Sequence, residues 1–147
     1  MKIRVLIVDD EEEFVQTLSE RLTIRDYDVT TSLNGEDAIG KVKDYLFDVV
    51  ILDVAMPGMD GIATLREIKR LRPLTEVIML TGHATVKSAI EGMKLGALDF
   101  FMKPCDTDEL VTKINSAHEG KTKQEERIRM AKVSEIISSP RSVLGED

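Results

Sequence analysis

Apolar residues along this chain fall into two kinds of pattern. Three short unbroken runs stand out: Val5-Leu6-Ile7-Val8, Val49-Val50-Ile51-Leu52 and Val77-Ile78-Met79-Leu80. Their brevity and their Val/Ile content predict strands rather than helices. A half-exposed strand alternates apolar and polar positions, whereas an unbroken run indicates cover on both faces, as in a parallel sheet. Two weaker strands are predicted at Asp28–Ser32 and Ala97–Met102.

Between the runs the apolar residues take helical spacing. Phe14, Leu18 and Leu22 form one stripe and Ala38, Val42 and Leu46 a second. Val86, Ile90 and Met93 form a third, and Leu110, Ile114 and Ala117 a fourth. Leu65 and Ile68 mark a shorter helix after Gly61. Each stripe is expected to be the buried face of an amphipathic helix. Asp106-Thr107-Asp108-Glu109 supplies N-cap residues and early carboxylates for the last of these helices. Asn34-Gly35, Pro57-Gly58 and Asp60-Gly61 are turn signals. The order is strand then helix, five times over, which predicts a doubly wound α/β domain with right-handed crossovers. The pattern itself leaves the strand order open.

The segment after this alternation differs. Thr122 to Ile137 is rich in charge and helix formers, with a thin stripe of Met130, Val133 and Ile137. It reads as a solvated helical extension of the last core helix, with a dimerising helix or linker as the alternative. Ser138-Ser139-Pro140 breaks the pattern, and disorder is expected beyond it. The division expected is a core domain at 1–120 and an extension with a tail at 121–147.

A length of 147 residues suits one compact domain with such an extension. No apolar run approaches the ~20 residues of a membrane helix. The N-terminus meets Asp9-Asp10 too early to hold a signal-peptide core, so a cytoplasmic address with no membrane attachment is expected. The formal net charge of −7 belongs entirely to the first 118 residues, because six Lys/Arg balance six Asp/Glu from Glu119 onward. An acidic core repels phosphate backbones, and direct nucleic-acid binding is not expected. Cys105 is the single cysteine, and His83 and His118 stand far apart, so a structural zinc site is not expected either. Cys105 reads as a small buried residue.

Ligands of open α/β sheets bind outside the carboxyl ends of the strands. Asp9 and Asp10 follow the first strand, Asp53 ends the third, Thr81 follows the fourth, and Lys103 with Pro104 follows the fifth. Each has an ordinary local reading. The Asp9-Asp10 pair could cap a helix, Asp53 could start a turn, Thr81 could bond its own backbone, and Lys103 could be solvated. Together they make a reacting site. Three close carboxylates repel by about 4 kcal/mol per pair at ~4 Å and an effective dielectric of ~20. Lys103 offsets part of this, and a hard, oxygen-loving divalent ion would offset the rest. Mg2+ fits best, since it takes one or two carboxylates, keeps waters and accepts phosphate oxygens. Phosphoryl transfer consists largely of positioning and charge neutralisation, which a metal, a lysine and a hydroxyl around one carboxylate supply.

Asp9-Asp10, Val50-Ile51-Leu52-Asp53, Met56-Pro57-Gly58-Met59-Asp60-Gly61, Leu80-Thr81-Gly82, Gly96-Ala97 and Lys103-Pro104 together resemble the receiver domains of two-component response regulators, the chemotaxis-regulator-like family. The resemblance spans Lys2 to His118. It implies a flavodoxin-like (βα)5 fold with a parallel sheet in the order 2-1-3-4-5, an order the general rule for doubly wound folds illustrates with this family. It implies Asp53 as the nucleophile toward a phosphohistidine, forming an acyl phosphate. Asp10 and Asp53 would bind Mg2+, or Mn2+ in its place, with Asp9 acting through water and the Ala55 backbone carbonyl completing the protein ligands. Thr81 and Lys103 would contact the phosphoryl group, and the Lys103–Pro104 bond would be cis. Phe100 occupies the position of a switch aromatic that would fill space vacated by Thr81. The resemblance also implies a sensor histidine kinase or phosphotransfer protein docking across the first helix (Glu12, Phe14, Gln16), a downstream protein or output domain, and room for a homodimer through the fourth-helix/fifth-strand face or the C-terminal helix. It implies a signalling phosphoacceptor rather than an enzyme, apart from self-catalysed phosphorylation and dephosphorylation.

Other classes fit less well. An aspartate-nucleophile phosphatase carries a second aspartate two positions after the first, where this chain has Ala55. A P-loop is absent, and Asp9-Asp10-Glu11 after the first strand would repel a flavin phosphate. His83 reads as a solvated loop residue, with tuning of phosphate lifetime as the alternative. The 29 residues after His118 are too few for a DNA-binding or ATPase domain, so a stand-alone receiver, or one with its linker helix, is expected.

Overall fold

The computed structural model describes residues 2–55, 60–82 and 86–138, with side chains as far as Glu135. The elements are β1 (Arg4–Val8), α1 (Glu12–Ile24), β2 (Asp28–Ser32), α2 (Gly35–Asp44), β3 (Val49–Leu52), α3 (Gly61–Leu71), β4 (Glu76–Thr81), α4 (Val86–Lys94), β5 (Asp99–Met102) and α5 (Thr107–Ser138). The five strands form one parallel sheet in the order β2-β1-β3-β4-β5. This is the expected doubly wound flavodoxin-like topology, and β5 begins two residues later than the sequence pattern suggested.

The unbroken apolar runs divide by strand alternation. Leu6, Val8, Val50, Leu52, Val77 and Met79 pack with α2 and α3 through Ala38, Val42, Leu65 and Ile68. Val5, Ile7, Val49, Ile51, Ile78 and Leu80 pack on the other face with α1 and α5 through Val15, Leu18, Leu22, Leu110 and Ile114. A period of two sends neighbouring residues to opposite faces, so a run with no polar position is what two covered faces require. At β1, for example, each of Val5 to Val8 is fully buried.

Helix starts follow cap chemistry. Two predicted turns prove to be caps: Asn34 accepts from the Asp37 amide at 2.8 Å and Asp60 from the Ala63 amide at 2.8 Å. Asp106 accepts from the Asp108 amide at 3.1 Å at the start of α5. The Pro57-Gly58 turn and His83 lie outside the described residues.

Three expectations about helix faces need correction. In α1 Leu18 and Leu22 are buried as expected, but Val15 joins them in place of Phe14, which is half-buried. Leu46 is 54% exposed because α2 ends at Asp44 and Tyr45 turns to extended backbone. The stripe of α4 faces outward: Val86, Ile90 and Met93 are exposed, and Gly92 is the buried residue of that helix. An added Cβ at Gly92 would stand 2.4 Å from the Met79 sulfur, so α4 packs on β4 through its backbone, and the large side chains turn away.

α5 is one helix of 32 residues. Its buried row of Leu110, Ile114 and Ala117 continues to Lys121, and most of the helix beyond is exposed. Lys121 Nζ stands 3.6 Å from Asp48 Oδ1, beneath the start of β3. Asp48 is 4% exposed and accepts from the Arg4 amide at 2.8 Å, Arg4 Nε at 3.2 Å and Arg4 Nη2 at 3.0 Å. Ile128, Met130 and Val133 are exposed.

Candidate functional site

The carboxyl end of the sheet is built by backbone pairing carried one step past the strands. The Asp9 amide donates to the Ser32 carbonyl at 3.1 Å, the Asp53 amide to the Val8 carbonyl at 2.9 Å, and the Lys103 amide to the Thr81 carbonyl at 2.9 Å. Val8 pairs in register with Leu52, so the next residues, Asp9 and Asp53, are neighbours at the middle of the sheet. β4 lies beside β3 and ends on Thr81, and β5 delivers Lys103 from the edge. The site therefore depends on β1 and β3 being adjacent, which is a property of strand order.

Asp9, Asp10 and Asp53 each offer a carboxylate oxygen, and the three oxygens lie within 4.8 Å of one another. Asp9 and Asp53 are buried at 1% and 2% exposure, while Asp10 is exposed. The pair does not cap α1 through its side chains in the ordinary way. Glu11 is the N-cap residue and makes no side-chain cap bond, while Asp9 Oδ1 accepts the Glu11 amide at 2.9 Å. Asp53 Oδ1 accepts the Ala55 amide at 3.0 Å, which orients the carboxylate.

Lys103 reaches into this cluster. Its ammonium donates to Asp9 Oδ2 at 2.6 Å and Glu11 Oε1 at 3.0 Å, and stands 3.8 Å from Asp53 Oδ2. Burial pushes the Asp9 carboxyl above its ordinary range, against the pull of the Lys103 hydrogen bond. Burial pulls Lys103 down, but its bonds to Asp9 and Glu11 outweigh this and hold the ammonium above its ordinary value. Asp9, Glu11 and Asp53 thus share one lysine, with Asp10 beside Asp9 and Asp53, and the site is short of positive charge. Closely spaced, hard oxygen donors of this kind suit a hard divalent cation. The Lys103–Pro104 bond is cis.

Thr81 is fully buried at the end of β4, on the same row as Val77 and Met79. Phe100 is half-buried, pairs in register with Met79 and packs against the α2/α3 core. Thr81 and Phe100 thus share the sheet face that α4 covers. Asp9, Asp53 and Lys103 continue the rows that face α1 and α5. Cys105 is half-buried, and burial raises its thiol. A groove of about 500 Å3, lined by Arg4, Asp28, Thr30, Lys41, Tyr45, Leu46 and Phe47, lies at the other end of the strands, away from the carboxylates. The sequence marked Glu11 only as part of the acidic run after β1 and not as a partner of Lys103, and it did not mark the Asp48–Arg4–Lys121 cluster. Nothing local marks Asp48.

Among the described residues no helix is long and apolar enough to cross a membrane. The "Transcriptional regulatory protein ZraR" of Salmonella typhimurium is 40% identical over 116 residues, covering 79% of this chain and 26% of that protein. The chain therefore spans about a quarter of the length of this relative. A CheY-like response regulator receiver domain protein from Methanospirillum hungatei has a similar structure, with a TM-score of 0.82 at 27% identity, covering 84% of this chain and 99% of that one. The beryllofluoride-activated NtrC4 receiver domain dimer matches with a TM-score of 0.76 at 37% identity, covering 80% and 98%. Residues 5–115 match the model of the response regulator receiver domain, and the chain belongs to that family.

Proposed function

We propose that Asp53 is the phosphoacceptor of a two-component phosphorelay. The observation that carries this reading is the convergence of Asp9, Asp10, Asp53 and Lys103 from three strand ends on one charge-deficient cluster. An Asp53 carboxylate oxygen attacks the phosphorus of a phosphohistidine. The phosphorus–nitrogen bond breaks, its electron pair stays on the imidazole, and an acyl phosphate forms on Asp53. Hydrolysis by water returns the carboxylate and inorganic phosphate. The protein contributes position and charge, so its catalysis is confined to its own phosphorylation and dephosphorylation, and it is otherwise a signalling phosphoacceptor.

Asp10 and Asp53 would hold Mg2+ directly, with Asp9 through water and the Ala55 carbonyl completing the set; Mn2+ is the alternative occupant. The ion would supply positive charge to the transferring phosphoryl oxygens. Lys103 then pairs with the phosphoryl group, and the Thr81 hydroxyl donates to it. Movement of Thr81 toward the phosphoryl group opens space on the α4 face, which Phe100 fills, and the surface of α4 and β5 changes. That surface exposes Val86, Ile90, Met93 and Met102, which suits protein contacts, including a second copy of the chain. The exposed Met130 and Val133 on α5 offer a second self-association surface.

The partners proposed are a sensor histidine kinase or phosphotransfer protein, docking across α1, and a downstream protein or output domain, with no direct nucleic-acid contact. A cytoplasmic location goes with these partners. Residues 1–120 act as the receiver, and 121–147 as extension and tail. The test is phosphorylation by a small-molecule phosphodonor with Mg2+, comparing wild type with Asp53→Asn by intact mass. Wild type is expected to gain one phosphoryl group and the variant none. Equal labelling of both removes Asp53 as the acceptor.

A further inference from the structure

Two contacts of Lys103 lie outside the triad of Asp9, Asp10 and Asp53. Its ammonium is 3.0 Å from Glu11 Oε1 and 4.1 Å from the centroid of the Phe14 ring. Both residues come from the β1–α1 corner. Glu11 immediately precedes α1, with its amide held by Asp9 at 2.9 Å, and Phe14 lies half-buried in the first turn of the helix. An ammonium has three N–H donors. One meets Asp9 at 2.6 Å and another meets Glu11, while Asp53 remains at 3.8 Å. The Phe14 ring attracts the cation through its face, so carboxylate and ring together form a seat for Lys103 beside Asp9.

We infer that Glu11 and Phe14 are positioning residues of the phosphoacceptor site. They keep Lys103 seated toward α1, and Glu11 competes with the phosphoryl group for the lysine. The inference rests on the reading of Asp53 as the acceptor. Glu11 is 56% exposed, so its pair with Lys103 is screened and weak. A phosphoryl group brings three strong acceptor oxygens and a larger charge, and therefore wins the lysine. The Glu11 contact must still be given up, so Glu11 sets how tightly the site holds its anion. Neutralising Glu11 should strengthen anion binding, and the gain should require Lys103.

The test is an NMR titration with beryllofluoride at saturating Mg2+, using wild type, Glu11→Gln, Glu109→Gln, Lys103→Met and the double variant Glu11→Gln/Lys103→Met. Glu11→Gln is expected to bind beryllofluoride about threefold more tightly, the scale of one exposed ion pair. Glu109→Gln removes an exposed carboxylate on α5 and is expected to match wild type. In the Lys103→Met background the Glu11 gain is expected to vanish. In wild type the Lys103 Cε protons should show an upfield ring-current shift that Phe14→Leu abolishes and that relaxes on beryllofluoride binding. The inference is overturned if Glu11→Gln binds like wild type, if Glu109→Gln gives the same gain, or if the gain persists without Lys103. Absence of any beryllofluoride binding by wild type overturns the phosphoacceptor reading itself, and this inference with it.

Discussion

A Cβ added to Gly61 would stand 2.1 Å from the Cα of Val54 and 2.4 Å from the Asp53 carbonyl oxygen. The first turn of α3 therefore presses directly on the backbone that leaves the acceptor candidate, and the Gly61 amide donates to the Val54 carbonyl at 3.2 Å. Neither neighbour is a flexible side chain, so the clash must be met by backbone movement. Gly61→Ala is expected to cost about 3 kcal/mol of unfolding free energy. Gly40 has nothing within 4 Å of the same position and lies inside α2. Gly40→Ala is expected to stabilise by up to about 1 kcal/mol, from helix propensity. Urea unfolding of the two variants should move in opposite directions.

Asp48 supports the opposite end of the sheet. Burial pushes its carboxyl up, but the Arg4 hydrogen bonds outweigh burial and hold it below the ordinary value of 3.8. A depressed native value means that the unfolded chain takes up the proton first as pH falls. The stabilisation is therefore complete above the ordinary carboxylate range and is lost as pH drops through the depressed value. Asp48→Asn should cost about 2 kcal/mol near neutral pH, and the gap to wild type should close below about pH 4. Hydrogen exchange should also rise in residues 119–125 of α5, because Lys121 loses its partner at the base of β3.

Asp10 is the exposed member of the carboxylate triad. Its removal should leave the fold intact and take away a proposed ligand. Asp10→Asn is expected to weaken Mg2+ binding at least tenfold in calorimetric titration, about 1.4 kcal/mol, with little change in urea midpoint. Unchanged affinity would remove Asp10 from the ligand set.

Phe100 is half-buried beside Met79, on the sheet face it shares with Thr81. If it answers the phosphoryl state, its ring resonances should shift when Mg2+ and beryllofluoride are added. The shift should be lost in Thr81→Ala, which removes the hydroxyl proposed to draw the change. A Phe100 environment that is identical with and without the mimic would show that the ring serves packing alone.

The sequence by itself determined much of this protein. The β-α alternation followed from local pattern, because an apolar run of four can satisfy a two-faced sheet only as a buried strand. Asp9, Asp53 and Thr81 could be named because each directly follows such a run, and Lys103 because it follows the weaker strand at Ala97–Met102. Tertiary structure decided the rest. Pairing of β1 with β3 makes Asp9 and Asp53 neighbours, and residues 44 apart carry no local trace of that choice. The outward stripe of α4 was also misread from pattern, since periodicity marks a face but not its direction, and Gly92 against Met79 sets that direction by close backbone approach. Glu11 and Phe14 joined the acceptor site only when folding brought Lys103 from the far edge of the sheet to the start of α1. Local spacing encodes which surface of an element is apolar, while long-range packing and charge decide what each surface meets.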